Sequence, residues 1–154
     1  MFRSAAERAI VTATAISGTL DLLSAFLFAG MKGNSPARVL QSVASGPFGS
    51  TMFDRGARGA LAGLLVHYGL MTIMVSVFVL AVTRLPALLR RPAITGITYG
   101  FGIYLVMYWI VLPLRYPAAF PQTGAWQVTN ALISHVLCVG LSMGLVVGRI
   151  LRKG

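Results

Sequence analysis

Three ionisable side chains interrupt otherwise apolar stretches of this chain: Asp21, His67 and His135. Such groups are costly in lipid, so in a membrane helix they face protein or a water-filled space. One carboxylate and two imidazoles admit several chemistries. A proton or ion path would run through Asp21 with the histidines, because imidazole is the side chain that ordinarily changes charge near neutral pH. A haem b would take His67 and His135 as axial ligands from facing helices, with Arg55, Arg58 or Arg115 near its propionates. A metal ion would take Asp21, His67 and His135 together, a set too small to say which metal. The plainest alternative is a structural tie, with Asp21 accepting a hydrogen bond from a histidine or from a tyrosine such as Tyr104; such ties average about 0.6 kcal/mol in membranes.

These residues need elements to position them. Apolar runs at about 10–31, 59–83, 93–112 and 126–147 are each long enough to cross a bilayer as a helix, the form that satisfies its own backbone in lipid. The expected fold is all-α, a polytopic bundle of four transmembrane helices forming one domain. The first run is longer than the apolar region of a secretory signal and contains Asp21, so it is read as a span. On it Thr14, Ser17, Asp21 and Ser24 recur every three or four residues and form one polar stripe. By helical rise Asp21 lies roughly 15 Å from one end of its span, His67 roughly 12 Å and His135 roughly 14 Å from the corresponding ends of theirs. All three are therefore expected to meet. Gly63 lies one turn from His67, and Ala131, His135, Cys138 and Ser142 share a face, which leaves room around both rings.

The 154 residues carry 13 Lys and Arg against 3 Asp and Glu, a formal charge of +10, with a mean hydropathy of +0.80. Little length remains outside the spans, so no soluble domain is expected. The cations cluster at span ends, which favours anionic lipid over nucleic acid; Arg38, Arg55, Arg58, Arg90, Arg91 and Arg115 are the candidate headgroup contacts. Arg3, Arg8, Arg84, Arg90, Arg91, Arg149, Arg152 and Lys153 fall on one side of the spans, and Lys32, Arg38, Arg55, Arg58 and Arg115 on the other. The positive-inside rule then places both termini in the cytoplasm. Cys138 stands alone and reads as a packing residue. No zincin, nucleophile-elbow, phosphate-loop or dinucleotide motif is present, so the expected role is non-enzymatic, that of an accessory or subunit-like membrane protein.

The first connection carries Ser35 and Pro36 as an N-cap and first helical residue, and Gly46 and Pro47 as a stop, which predicts a short amphipathic interfacial helix over 36–45 with Val39, Leu40 and Val43 on one face. The third connection, with Pro117 and Pro121, reads as a stiff link flanked by the belt residues Trp109, Tyr116 and Trp126, and Pro113 is expected to end the third span. Gly59 with Gly63, Gly96 with Gly100, and Gly140, Gly144 and Gly148 have the spacing of close helix packing, within the chain or in a homodimer or larger complex. Leu64 to His67 matches Leu132 to His135 well enough to suggest two tandem hairpins.

The segment Gly18 to Asp21, the segment Ser35 to Gly46 and the paired His67 and His135 resemble a group of small bacterial membrane proteins, themselves similar in general pattern to YagU-type inner-membrane proteins linked to acid resistance. The likeness to the first group covers most of the chain. That to the YagU type rests on the Trp126-Gln127 helix start, the span-closing prolines and the intramembrane histidines. It implies four helices in a bacterial inner membrane and carries no catalytic residue across.

Overall fold

The computed structural model describes residues 4–153; Arg3, counted above for orientation, lies outside them. Among the described residues the long apolar helices are α1 (Ala5–Gly30), α3 (Gly56–Arg84), α4 (Pro92–Arg115) and α5 (Ala125–Leu151), and the shorter α2 (Pro36–Phe48) lies in the first connection. Each of the four is long and apolar enough to cross a membrane. Local chemistry sets several ends. The Ser4 hydroxyl accepts from the Glu7 amide while the Glu7 carboxylate accepts from the Ser4 amide, a reciprocal capping box that starts α1. Ser35 caps α2 in the expected way, accepting from the Arg38 amide with Pro36 at the first helical position. Leu27, Leu65, Ile73, Leu114 and Leu145 stand exposed on the outer faces, the arrangement lipid covers without loss and water does not.

The helices are arranged in the order α3, α1, α5, α4, with α1 packed on α3 and α5, and α5 on α4. The order closes between α4 and α3, where the Tyr99 hydroxyl donates to the Met74 carbonyl at 2.8 Å and the Phe78 and Tyr99 rings lie 5.1 Å apart. Phe78, Val75, Met143 and Val147 are fully buried and fill the half of the bundle nearer the termini. Arg8, Arg149 and Lys153 line one surface depression there, so both ends of the described chain share a face. The buried ionisable pair lies in the other half.

Packing between α4 and α5 is backbone against backbone. A Cβ added to Gly100 would stand 2.8 Å from the Gly140 Cα, and one added to Gly96 would stand 2.8 Å from the Gly144 Cα; the reverse substitutions meet the same obstruction. Glycine at these positions is required by approach, which in lipid is what drives helices together. Gly59 and Gly63 receive the first connection and not another span: a Gly63 Cβ would meet the Leu40 backbone of α2, and a Gly59 Cβ the Met52 carbonyl and the Gln41 side chain.

Two helix ends and one packed face depart from the sequence reading. Pro113 does not end the third span. The turn before it widens into a π-helical segment, Met107–Val111, in which the Leu112 amide reaches the Met107 carbonyl, and helix resumes to Arg115. The wider turn accommodates a residue that has no amide to donate. Helix α2 runs past Gly46 and Pro47 to Phe48, where the Gly49 amide donates to the Ser45 carbonyl; Arg115 donates from Nη2 to the same carbonyl at 3.1 Å and from Nε to the Gly46 carbonyl, an acceptor the helix end would leave open. Its buried residues are Gln41, Ala44 and Ser45, with Val39, Leu40 and Val43 only half-buried. The packed face is thus the small, polar one: Gln41 donates to the Gly56 carbonyl at 3.0 Å and Ser45 is hydrogen-bonded to the Tyr116 hydroxyl at 2.7 Å.

Candidate functional site

His67 is buried on α3 and reaches α1 with both ring nitrogens. Nε2 lies 3.0 Å from the Gly18 carbonyl oxygen, which can only accept, so this nitrogen carries a proton. Nδ1 lies 3.9 Å from Asp21 Oδ2. The carboxylate is one turn further along the same face of α1 and only 20% exposed. With the Nε2 proton committed to Gly18, a neutral imidazole would present a lone pair to a carboxylate. One further proton on either group removes that repulsion, as imidazolium facing carboxylate or as imidazole facing carboxylic acid. Two ions at this separation would attract by about 4 kcal/mol at an effective dielectric constant of 20, before the cost of desolvating them.

The other polar groups of the α1 stripe divide between two neighbours. Ser17 is hydrogen-bonded to Ser142 of α5 at 2.7 Å, and Ser24 accepts from Ser134 of α5 at 2.9 Å. Gly18 and Asp21 face α3 instead, and beside them Thr19 is hydrogen-bonded to Tyr68 at 2.7 Å. A Gly18 Cβ would stand 2.9 Å from the Tyr68 ring, so the glycine is what lets α3 approach the His67 bond. Among the described residues the buried Thr14 hydroxyl finds no hydrogen-bond partner, and neither does the Asn130 side-chain oxygen Oδ1. Cys138 is a half-buried free thiol within hydrogen-bonding reach of Ser24.

His135 does not join the pair. It sits in a second π-helical segment, Ile133–Leu141, where its Nδ1 lies 2.9 Å from the Ala131 carbonyl of its own helix and its ring meets Tyr108 edge-on at 5.9 Å. The expectation that three residues would meet assumed an uninterrupted α-helix. A π segment has more residues per turn and rotates the following side chains, which presents Ser134 and not His135 to α1. Among the described residues no group of three or more His, Cys, Asp or Glu side chains could hold a metal ion, so Asp21, His67 and His135 do not form the three-ligand set. For a haem, His135 keeps a lone pair on Nε2, whereas His67 would have to give up the Gly18 carbonyl or the Asp21 carboxylate to reach iron. The two histidines are accordingly not equivalent, as a strict tandem repeat would have them. The Asp21 carboxylate is within electrostatic reach of Tyr108 and Cys138, and the Tyr104 and Tyr108 rings lie 5.3 Å apart.

The candidate headgroup arginines are all exposed at helix ends. Arg38 stacks on Phe53 at 4.0 Å, Arg115 holds the end of α2, and Arg55 and Arg58 open α3. Arg90 and Arg91 lie at the opposite end, between α3 and α4. Trp109 and Trp126 are exposed near the α2 end, where an aromatic belt was expected. Sequence reasoning missed the Gly18 carbonyl, whose only signal was its place three residues before Asp21 on the polar face, and the Thr19, Tyr68 and Arg115 contacts, which have no local signature. Comparison with protein-family models, with curated proteins and with solved structures finds no match.

Proposed function

We propose that the chain is a non-enzymatic, subunit-like protein of a bacterial inner membrane, with both termini cytoplasmic, in which the Asp21 and His67 pair is a proton-responsive tie between α1 and α3. The observation that carries this reading is the His67 ring, buried and engaged through one nitrogen by the Gly18 carbonyl and through the other by the Asp21 carboxylate. The tie is strongest when the two groups together carry one proton beyond that on Nε2. Without that proton the Nδ1 lone pair faces a carboxylate, and the helices are held less firmly. The Tyr68 ring lies 5.2 Å from the His67 ring, and Tyr108 and Cys138 lie within electrostatic reach of Asp21. The hydroxyls of Ser17, Ser24, Thr19 and Tyr68 are used in bonds between helices, which supports a holding role over a reactive one. The YagU-type resemblance would place such a device in a response to acid.

The test is the pH dependence of the distance between spin labels on α1 and α3 in phosphatidylglycerol and phosphatidylethanolamine vesicles. The natural chain should show a pH-dependent change that Asp21→Asn and His67→Gln both remove; a natural chain with no pH dependence overturns the proposal. Reporter fusions at the C-terminus and near Gly49 test the orientation, and an exported C-terminus would reverse it.

A further inference from the structure

Three neighbouring pairs in the order α3, α1, α5, α4 pack along their length, and the pair that closes it does not. A cleft opens instead between α3 and α4. Its outer part, about 470 Å³, is walled by Val66 and Leu70 of α3, Met107 and Val111 of α4, and Val43 and Pro47 of α2, with Arg115 in its lining. Its deeper part, about 510 Å³, lies over Met74, Tyr99, Gly102 and Ile103, and shares Met107 with the first. The Tyr99 bond to Met74 crosses the seam at the deep end. From Arg115 to Tyr99 is roughly 24 Å of helix by its rise per residue, at least the depth of one hydrocarbon leaflet, about 15 Å.

We propose that this cleft binds a bilayer phospholipid, one acyl chain lying between α3 and α4 and the phosphate held by Arg115. Depth and lining suit an acyl chain, because the cleft runs at least one leaflet deep from Arg115 and its walls are mostly apolar. Charge decides for a phosphate. The Arg115 guanidinium gives one hydrogen to the Gly46 carbonyl and one to the Ser45 carbonyl, which fixes its plane and leaves the remaining donors of its five turned away from those bonds. Gly102 supplies an independent sign. The other two glycines of its helix, Gly96 and Gly100, are pressed against the α5 backbone, but a Cβ on Gly102 would meet nothing within 4 Å. The missing side chain at Gly102 serves the cleft.

Native mass spectrometry of the detergent-purified chain, with phosphatidylglycerol or a diacylglycerol of the same acyl chains added, tests this. The natural protein should bind one phosphatidylglycerol with at least tenfold preference over diacylglycerol. Gly102→Leu, which fills the cleft from an unstrained helical position, should weaken binding at least tenfold with helicity and elution volume unchanged; Val106→Trp on the rim serves as a second plug if that variant misfolds. Arg115→Gln should bring phosphatidylglycerol down to the diacylglycerol level, and Arg115→Lys should recover part of the preference. Equal binding by the natural chain and both plugged variants, or no preference for the phosphate, overturns the assignment. A plug that dissolves a dimer and leaves lipid binding intact would give the cleft to a second copy of the chain.

Discussion

Replacing Asp21 and His67 by leucine, singly and together, measures what the buried pair contributes. His67→Leu deletes the Gly18 bond, a net loss of about 0.5 to 1.5 kcal/mol, and leaves the Asp21 carboxylate without its partner. Asp21→Leu leaves Nδ1 facing an alkyl group at a cost of about 1 to 3 kcal/mol, because no water replaces the lost contact. The gross attraction of two ions at 3.9 Å is about 4 kcal/mol, but desolvation offsets most of it. Polar ties measured inside membranes reach at most about 1.7 kcal/mol. The coupling between the two sites is therefore expected at about 1 to 2 kcal/mol, with the double variant less destabilised than the sum of the singles. Asp21→Asn should cost least, since it keeps the shape of the side chain and a polar group facing Nδ1. Unfolding by dodecyl sulfate in maltoside micelles, followed by circular dichroism, supplies the four free energies. Additivity within about 0.5 kcal/mol would mean that the two side chains do not interact and would refute the pairing.

The glycine seam gives a second expectation: Gly140→Ala should destabilise by about 1 to 3 kcal/mol, the usual cost of overpacking, because its methyl would stand 2.8 Å from the Gly100 Cα. Gly69→Ala, where nothing lies within 4 Å, should be neutral or slightly stabilising in the same unfolding assay. Gly63→Leu should lift α2 from α3 by displacing the Leu40 backbone, and faster proteolysis within 36–54 of the reconstituted protein would report it, with the four spans still protected.

Much of this architecture was legible in the chain itself. Unbroken apolar length names a membrane helix because the bilayer offers no other partner to the backbone, and the spans near 10–31, 59–83, 93–112 and 126–147 reappear as α1, α3, α4 and α5 with ends moved by a few residues. The cap at Ser35 was legible for the same kind of reason, since its partner lies three residues away. The α1 stripe was readable as a face, because helical periodicity is a property of one segment. What each residue on that face touches was decided only by the tertiary structure. Whether Gly59 and Gly63 receive a span or the first connection, whether Pro47 stops a helix whose last carbonyls Arg115 can satisfy, and whether His135 turns toward Asp21 or Tyr108 all depend on groups distant in sequence or on a change of helical pitch. Periodicity fixes the angle between residues of one helix. The rotation of each helix against its neighbours is set by which small residues allow the closest approach, and a π segment shifts that angle by an amount the alternation of residue types does not encode.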